Sequence, residues 1–450
     1  MSSVMWFRRD LRVNDHPALL AAGEVGPVYP LFVFDPVLWD KAGPIRGQYL
    51  LDSLASLNES LGGHLTIRIG PPADVVPEFA REVAAESVHI SADYGPYGSR
   101  RDATVAETLS VPLVATGSPY AIAPGRVRKG DDTAYKVFTP FYRAWFKHGW
   151  RAPATGPLPE LVSAPSHDLP TISGLTFKLP PAGEHAALDR LATFRENILS
   201  DYPESRDQAD TDGTSALSHH LKYGEIHPRT ILAKLGPEDE VFRKEICWRE
   251  FYADVLVHNP QSASESLDSR FDSVMPWATG PEADAAFTAW TQGKTGFPYV
   301  DAGMRQLAAT GWMHNRVRMV VASFLVKDLH IPWQRGAEFF MTQLRDGDLA
   351  SNSHGWQWTA GCGTDASPFF RVFNPITQGL KFDPQGEYVR RYVPELAHLP
   401  GKTIHTPWDA TLSGLGGYDH GYPEPIVDHK AEREVALANY AFMKDQMKDQ

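Results

Sequence analysis

Cysteine is scarce in this sequence, and the common nucleotide-binding signatures are missing. The 450 residues include two cysteines, Cys247 and Cys362, which excludes a disulfide framework, an iron–sulfur cluster and a four-cysteine zinc site. Neither G-x-G-x-x-G nor G-x-x-x-x-G-K-S/T occurs, so the sequence offers no dinucleotide fingerprint and no P-loop. We expect a protein of the reducing cytoplasm that holds no metal.

Long hydrophobic runs and an excess of positive charge are also missing. No apolar stretch approaches the roughly 18 residues that cross a bilayer. The two arginines of MSSVMWFRRDLR follow a short apolar run, which is the reverse of a signal peptide. The 55 acidic residues exceed the 43 basic ones, and the net charge of -12 disfavours non-specific coating of nucleic acid. A local basic groove is compatible with this total, because net charge averages over the whole surface.

The first 125 residues alternate short β-branched or aromatic runs with helical patterns. Buried strands are predicted at Val4–Phe7, Val28–Phe34, His64–Ile69, Val88–Ala92 and Val111–Ala115. Helices are predicted between them, near Pro17–Ala22, Gly47–Leu61, Ala73–Ala85 and Arg100–Leu109. This rhythm indicates an α/β domain with a doubly wound parallel sheet, whose ligands bind beyond the carboxyl ends of the strands.

The rest of the chain divides into a connector and a helical domain. Residues 126–185 form the predicted interdomain linker, because the stretch from about residue 150 is rich in Pro, Gly and Ser. Residues 186–450 form the predicted all-α domain, with apolar residues at helical spacing. Its helices are predicted at His185–Leu199, Ser218–Tyr223, Pro228–Lys234, Glu240–Val257, Ala283–Gln292, Met304–Ala309, His314–Lys327 and Trp333–Leu344. After Gly355 the pattern is irregular until a final helix near Lys430–Lys444.

Three polar segments of the helical domain indicate a site, although each has a structural alternative. The run Asp210–Ser218 gathers hydroxyl and acidic residues before a helix, which suits a phosphate or is a simple N-cap. In Glu245–Tyr252 a carboxylate, an indole and a guanidinium share one helical face, which suits a stacked base or else a core indole beside an ion pair. The arginines of Gly311–Met319 lie on a mostly buried helix and need partners, for which Asp346 and Asp348 are candidates. A solvated face and a plain turn are the alternatives.

Tryptophan is unusually frequent. The chain has 12 of them, most after residue 240, and Trp277, Trp333 and Trp356 belong to this group. Scattered tryptophans are usually core or interface anchors, so composition alone does not make them an electron path.

These segments together identify a family. The strings WFRRDLRVND, WREFYADVL, KTGFPYVDAGMRQLAATGWMHNRVRMVVASFLVKDL, DGDLASN, GWQW and FNPITQG resemble the DNA photolyase/cryptochrome family from end to end. The resemblance is strongest to class I cyclobutane pyrimidine dimer photolyases. It implies an N-terminal α/β antenna domain and a C-terminal helical domain that holds FAD in a bent form. It also implies a monomer that acts on UV-damaged DNA and requires neither a membrane nor a protein partner.

The resemblance assigns the FAD site residue by residue. The implied cofactor-binding residues are Tyr202, Thr214, Ser215, Ala216, Leu217, Ser218, Phe242, Arg249, Asn315, Arg318, Asp346, Gly347, Asp348 and Asn352. Asp346 would pair with Arg318. Asn352 would lie beside the reactive flavin nitrogen, where a neutral amide does not repel the extra electron. Ala216 replaces an arginine of the family pattern, which removes a phosphate contact, and Phe242 replaces a tryptophan, which removes an indole N–H donor.

The lesion site is implied in the same way. The implied catalytic residues are Glu245, Trp248, Met319 and Asn352. Trp248 would be a stacking wall for a flipped-out dimer, and Glu245 would hydrogen-bond a pyrimidine edge. Repair of the (6-4) photoproduct is disfavoured, because Asn315 follows His314 where that branch has a histidine pair. The implied reaction is electron transfer from light-excited reduced FAD to the dimer, which requires no acid–base pair or nucleophile.

Electron relay and DNA contacts complete the assignment. The implied relay consists of Trp356, Trp333 and Trp277, the last after a short shift of its loop. The implied DNA-binding residues are Glu245, Trp248, Tyr252, Asn315, Arg316, Arg371 and Gln378. A basic rim that would bind phosphates despite the acidic total consists of Arg126, Arg128, Lys129, Arg316, Arg318 and Arg371.

A second chromophore is implied for the α/β domain. The string DYGPYGSRRD resembles deazaflavin-binding members, and the glutamate of folate-binding members would fall near Ser99 and is absent. We therefore expect 8-hydroxy-5-deazaflavin, with methenyltetrahydrofolate as the second choice and an empty or structural pocket as the alternative. The residues implied to line this pocket are Arg9, Phe34, Asp35, Arg46 and Asp93.

Two functions compete. The first is a carbon–carbon lyase that repairs cyclobutane dimers in light, and the alternative is a cryptochrome-like blue-light photoreceptor without repair activity. The lesion residues, Asn352 and the expected lack of a long C-terminal extension favour repair. A nicotinamide-dependent flavoenzyme is disfavoured because no nucleotide fingerprint occurs. Ser353 and His354 replace a common Asn-Gly pair. His354 would either alter the proton supply near the flavin or be a surface loop residue, and we expect the surface loop residue.

Overall fold

The computed structural model describes residues 1–365, 368–369, 371–412 and 414–446. They form two compact units. The first comprises residues 1–200, 215–260 and 345–350, and the second comprises residues 201–214, 261–344 and those from 351 onward. Among the described residues, none of the helices combines the length and the apolar character that a membrane crossing needs. The domain bounds at 125 and 185 stay a prediction.

A parallel sheet of five strands lies at the centre of the first unit. The strands are β1 (Ser3–Phe7), β2 (Val28–Phe34), β3 (Thr66–Ile69), β4 (Ser87–Ile90) and β5 (Leu113–Ala115), in the order β3-β2-β1-β4-β5. Alternate residues of β1 enter different cores, with Met5 and Phe7 on one face and Val4 and Trp6 on the other. Both faces are covered, so the predicted doubly wound α/β sheet is confirmed.

The first unit also contains helices, which cover the sheet and continue along the chain after the last strand. They are α1 (Pro17–Val25), α2 (Pro36–Trp39), α3 (Gly43–Ser60), α4 (Pro72–Glu82), α5 (Pro96–Thr108), α6 (Phe138–His148), α7 (Glu184–Asn197), α9 (Ser218–Tyr223), α10 (Pro228–Leu232) and α11 (Glu240–His258). Helix α6 lies inside the segment predicted as a linker and packs against α11. Its buried Phe141 and Trp145 are a helical signal that the Pro-rich stretch after residue 150 obscured.

The second unit is helical, as predicted. Its helices are α8 (Tyr202–Ser205), α12 (Arg270–Ser273), α13 (Pro281–Thr291), α14 (Pro298–Thr310), α15 (Asn315–Lys327), α16 (Trp333–Gln343), α17 (Leu349–Ala360), α18 (Pro375–Phe382), α19 (Glu387–Tyr392), α20 (Pro407–Leu412) and α21 (His429–Asp445). The expectation of an irregular chain after Gly355 is wrong, because α17 runs through that residue and α18 to α20 follow. Helix α17 has no apolar stripe, since it also buries polar Ser353, His354 and Gln357.

Candidate functional site

Residues 215–218 of the predicted phosphate segment form a turn in the first unit. The Ser215 carbonyl accepts a hydrogen bond from Arg190 Nε of α7 at 2.8 Å. Ala216 has a φ of 50°, a left-handed conformation that redirects the chain into α9, and Leu217 is buried. The arginine that the family pattern places at Ala216 is therefore absent, but the guanidinium of Arg190 lies against the same turn.

A buried histidine follows this turn. His219 is 2% exposed, and neither of its ring nitrogens has a hydrogen-bond partner among the described residues. Burial, reinforced by His220, Arg345 and Arg190, lowers the pKa of His219 well below its ordinary value, so the ring is neutral. A neutral imidazole has one donor and one acceptor, and leaving both unsatisfied in a protein interior is costly. Sequence reasoning missed His219, whose only signal was its place directly after Ser218.

Acidic and basic groups continue beyond this histidine. Arg9 Nη2 and Asp348 Oδ2 form an ion pair at 2.5 Å, which joins a predicted antenna residue to a predicted FAD residue. Burial, together with Arg9 and Arg46, lowers the pKa of Lys222 to about 7, while Asp348 and Asp93 partly oppose this. We call Arg190, Ser215–Lys222 and Arg345–Asp348 the polar strip. Lys222 is, after His219, a second residue of the candidate site that sequence reasoning missed.

Arg249 and Phe242 of α11 were also predicted to bind FAD. Arg249 donates to the carbonyl oxygens of Pro119 at 2.9 Å and Leu221 at 3.2 Å, and its guanidinium lies 4.5 Å from the centre of the Tyr120 ring. Phe242 is buried with its ring centre 4.6 Å from that of Phe194. In the first unit both side chains therefore have a packing role. Their contact with FAD stays a prediction.

The predicted antenna residues lie at the carboxyl edge of the sheet, where β1 and β4 are neighbours. A cavity of about 10 Å³ is lined by Arg9 and Asp93, which leaves room for about one water and not for a tricyclic chromophore. Asp35 accepts a hydrogen bond from the Tyr97 hydroxyl at 2.5 Å, and Arg46 donates to the carbonyls of Lys41 and Ala42. Phe34 packs edge-on against Trp39. Asp35, Arg46 and Phe34 thus have partners within the first unit, and the antenna assignment stays a prediction.

The predicted lesion and DNA-binding residues Glu245, Trp248 and Tyr252 all belong to α11, at helical spacing. The Trp248 ring stacks on Phe138 of α6, with ring centres 3.7 Å apart and planes 5° from parallel, and Tyr252 lies at 5.3 Å. One face of the indole is therefore covered by Phe138 and is closed to stacking by a ligand. Phe138 is a supporting residue that sequence reasoning missed, and Glu245 lies one turn before Trp248.

In the second unit, three of the predicted DNA-binding residues, Arg316, Arg371 and Gln378, line a surface cavity of about 400 Å³. Arg316 is bonded to Asp207 through Nη2–Oδ2 at 2.7 Å and Nε–Oδ1 at 3.3 Å. Its guanidinium lies 4.5 Å from the centre of the Phe382 ring. Arg371 and Gln378 line the same cavity, together with Lys381, so the structure brings these predicted residues together. Asp207 was not predicted, and a DNA phosphate would compete with it for Arg316.

The other residues predicted on α15 lie at its first turns. Asn315 is exposed, Arg318 Nε donates to the Met313 carbonyl at 2.8 Å, and Met319 Sδ lies 3.8 Å from Arg316 Nη1. The predicted pairing of Arg318 with Asp346 stays a prediction. Tyr202 is buried.

Asn352 and His354 occupy α17. Asn352 Nδ2 donates to the Ala337 carbonyl at 3.0 Å, which orients the side chain that was predicted to meet the flavin. His354 is 1% exposed, with Nε2 2.9 Å from Ser262 Oγ. The expectation of a surface loop residue is therefore wrong, because α17 continues through this position and buries it.

The predicted relay tryptophans belong to the core of the second unit. Trp356 is buried, with ring centres 5.0 Å from Phe340 and 6.1 Å from Trp290. The buried Trp333 donates from Nε1 to Ser266 Oγ at 2.9 Å. The half-buried Trp277 donates to the Phe271 carbonyl at 2.6 Å. We call Trp290, Trp333, Phe340 and Trp356 the aromatic core; Trp290 was not predicted.

The six members of the predicted basic rim fall in both units. In the first unit Arg128 is paired with Asp132 at 3.6 Å and donates to the Gly125 carbonyl, and Lys129 lies 6.0 Å from the centre of the Tyr135 ring. A single rim that includes Arg126 stays a prediction.

Comparison with known proteins decides the family. The family model described as DNA photolyase matches residues 3–161, and the model described as the FAD binding domain of DNA photolyase matches residues 242–442. Two curated relatives are named deoxyribodipyrimidine photo-lyase. The one from Halobacterium salinarum is 38% identical over 97% of this chain and 98% of the relative, and the one from Agrobacterium fabrum is 40% identical over 98% of both. The chain belongs to the DNA photolyase/cryptochrome family. The predicted family, fold class and photo-lyase class are thereby confirmed.

Solved structures agree with this result. A bacterial class III photolyase from Agrobacterium tumefaciens superposes with a TM-score of 0.86 at 39% identity, covering 99% of this chain and 98% of the other. A Sulfolobus tokodaii photolyase with two FAD molecules gives 0.85 at 29%, covering 98% and 100%. A Synechocystis cryptochrome gives 0.84 at 29%, covering 97% and 98%. The class I assignment stays a prediction.

The described residues fit FAD as a ligand. The two orphaned nitrogens of His219 lie beside the predicted phosphate segment and are of the kind that a bound phosphate or ribityl hydroxyl satisfies. Arg190 adds a positive charge at the same turn.

Proposed function

We propose that this protein repairs cyclobutane pyrimidine dimers in DNA in a light-dependent reaction. The observation that carries the proposal is the nearly full-length match at 38–40% identity to proteins named deoxyribodipyrimidine photo-lyase. Reduced FAD, when bound and excited by light, supplies the electron that splits the dimer.

The side chains of α11 would bind and orient the lesion. Phe138 holds the Trp248 ring flat from one side, so the other face is preorganised to stack an extruded base. Glu245, one turn earlier on the helix, would accept a hydrogen bond from a pyrimidine edge or donate one when protonated. The proposed reaction needs no nucleophile on the protein, because an electron added to the dimer would weaken the cyclobutane bonds without a covalent adduct to the protein.

The cavity around Arg316 would bind the DNA backbone. Arg316, Arg371 and Lys381 surround it with three positive charges against the single carboxylate of Asp207. Arginine suits phosphate because its guanidinium donates two parallel hydrogen bonds. This local charge would bind DNA although the whole chain is acidic, and the affinity would fall as salt rises.

The remaining assignments are parts of the same proposal. In the second unit, Asn352 would lie beside the flavin nitrogen, held by the Ala337 carbonyl. Trp356, Trp333 and Trp277 would relay electrons that re-reduce the cofactor. The antenna would be 8-hydroxy-5-deazaflavin, although the Sulfolobus relative is described with a second FAD. A monomer in the cytoplasm, where the two buried free cysteines stay reduced, completes the proposal.

The alternative is a photoreceptor without repair activity, which the cryptochrome similarity favours. The deciding experiment incubates the reduced, FAD-loaded protein with a thymine-dimer oligonucleotide under blue light and in the dark, and counts restored thymines. Repair in light alone supports the enzyme. No restoration by protein that holds reduced FAD supports the photoreceptor.

A pair of variants on one helix makes the experiment specific. Glu245→Gln is expected to lower the number of thymines restored without loss of FAD. Glu240→Gln on the same helix, where the wild-type carboxylate only pairs with Lys244 at 3.1 Å, serves as the control and is expected to repair normally. Equal repair by both variants would remove Glu245 from the proposed site.

A further inference from the structure

We propose that His219, together with Arg190 and Arg345, binds the diphosphate of FAD and replaces the arginine that is absent at Ala216. The inference rests on the proposed function only in that FAD is the cofactor. All of these residues belong to the first unit.

Arg190 and His219 both lie at the predicted phosphate turn, the first through a hydrogen bond to Ser215 and the second directly after Ser218. Arg190 Nε is fixed to the Ser215 carbonyl at 2.8 Å, so its guanidinium is held against the turn. His219 follows that turn on α9, and both of its ring nitrogens are buried without a partner among the described residues. A ring N–H in this position can donate to a phosphate oxygen, which satisfies the donor that the protein leaves open.

The neighbouring His220 differs from His219, because its ring has a hydrogen-bond partner. His220 Nδ1 is bonded to Glu225 at 2.5 Å, and Tyr49 and Ser53 donate to the same carboxylate at 3.0 and 2.6 Å. Every polar group of that network has a partner. His219 lies outside it, although its ring centre is only 4.2 Å from that of His220 and 5.2 Å from that of Tyr49. These rings hold the imidazole in place, so it is oriented before a ligand binds.

The charges around His219 favour an anion. Arg190 is fixed at the adjoining turn, Arg345 is near enough to act on the ring electrostatically beside His220, and the ring itself is neutral. Two guanidiniums beside a neutral hydrogen-bond donor match the charge of a diphosphate, which carries about two negative charges. One arginine guanidinium can donate two parallel hydrogen bonds to a phosphate. Arg190 and Arg345 can therefore replace the phosphate contact that an arginine at position 216 would make.

The test uses the full-length chain with two probes, FAD and inorganic pyrophosphate. Binding of each is measured by calorimetry to wild type, His219→Leu, Arg345→Met and the control His89→Leu. His89 is also buried, at 3% exposed, with one unpartnered nitrogen, but it lies on β4. A hydrogen bond to a charged group predicts that His219→Leu and Arg345→Met each weaken both probes about tenfold or more. His89→Leu is expected to bind both as wild type does.

The outcomes separate the inference from a packing role and from the proposed function. Unchanged pyrophosphate affinity in His219→Leu and Arg345→Met overturns the inference, even where FAD affinity falls. If His219→Leu does not fold, His219→Gln, which keeps a donor, is compared with Arg345→Met, and equal binding by these two overturns it as well. A wild-type chain that binds both probes but restores no thymine contradicts the repair proposal and leaves the diphosphate site standing.

Discussion

The polar strip and the aromatic core bury polar atoms in opposite ways. In the aromatic core, the indole N–H groups of Trp290 and Trp333 donate to the Val321 carbonyl at 3.0 Å and to Ser266 Oγ at 2.9 Å. In the polar strip, both nitrogens of His219 lack a partner among the described residues. A region whose buried polar atoms are satisfied is complete as folded, whereas a buried ring with both nitrogens orphaned beside cationic groups can be completed by a ligand. The first is completed by packing alone, and the second is the region that we propose to hold the cofactor.

The largest effect is expected inside the aromatic core. Trp356→Phe should abolish photoreduction of oxidised FAD, because phenylalanine is much harder to oxidise than tryptophan. Repair by chemically reduced protein should persist, since the relay is then not needed. Flavin absorbance under illumination measures the first, and restored thymines the second. Trp290→Phe is the matched control, and equal loss of photoreduction in both variants would contradict the predicted relay.

Packing in the same core gives the second prediction. A Cβ at Gly336 would overlap the Trp356 ring and Leu325, so Gly336→Ala should lower the free energy of unfolding by about 1–3 kcal/mol. A Cβ at Gly355 of α17 meets nothing within 4 Å, so Gly355→Ala should instead raise it by about 0.5–1 kcal/mol. Urea unfolding of both variants gives the values. A tolerated Gly336→Ala would show that the aromatic core is looser than described.

The third prediction concerns the ion pair between Asp207 and Arg316. Removing Asp207 should strengthen ligand binding, whereas removing His219 should weaken it. The Asp207 carboxylate is paired with the Arg316 guanidinium. Asp207→Asn should therefore free the guanidinium for a DNA phosphate and tighten DNA binding about twofold to fivefold. The salt dependence should also become steeper, by about 0.9 in the logarithmic slope for each additional phosphate that the protein neutralises. Fluorescence anisotropy across a salt series measures both. In an Arg316→Gln background the effect should vanish, and its persistence there would exclude this explanation.

The smallest effect concerns the protonation of Lys222 in the polar strip. Its pKa in the folded protein is about 7, below its ordinary value of 10.5, because of burial and of Arg9 and Arg46. The unfolded chain then binds more protons between these values, so stability should rise with pH from about 7 upward. The gain should be less than about 1 kcal/mol per pH unit, since the side chain is partly exposed. Lys222→Met should flatten the dependence in urea unfolding at pH 7, 8 and 9, and an unchanged slope would assign it to another group.

Strands and helices were predicted correctly where the pattern of apolar residues is compatible with only one structural environment. Strand β2 was predicted with its observed bounds, because a β-branched and aromatic run fits a strand that is covered on both faces. Helix α17 was not continued past Gly355, because its buried polar residues remove the stripe by which a helix is recognised. Helix α6 carried a readable apolar pattern, which the composition of its neighbours concealed.

The site followed the same division. Candidate-site residues that stand together in one short motif, such as Ser215–Ser218, were assigned from the resemblance. Partners distant in sequence were not: Arg190 is 25 residues from Ser215, and Asp207 is 109 from Arg316. Such pairs are set by tertiary packing, which single-sequence patterns do not contain.

Hydrogen exchange of the full-length chain, with and without FAD, tests most directly whether the cofactor completes the polar strip. We predict that FAD slows amide exchange in residues 215–225 and leaves α13, which carries Trp290 of the aromatic core, unchanged. Equal exchange in residues 215–225 in the two states would contradict the prediction.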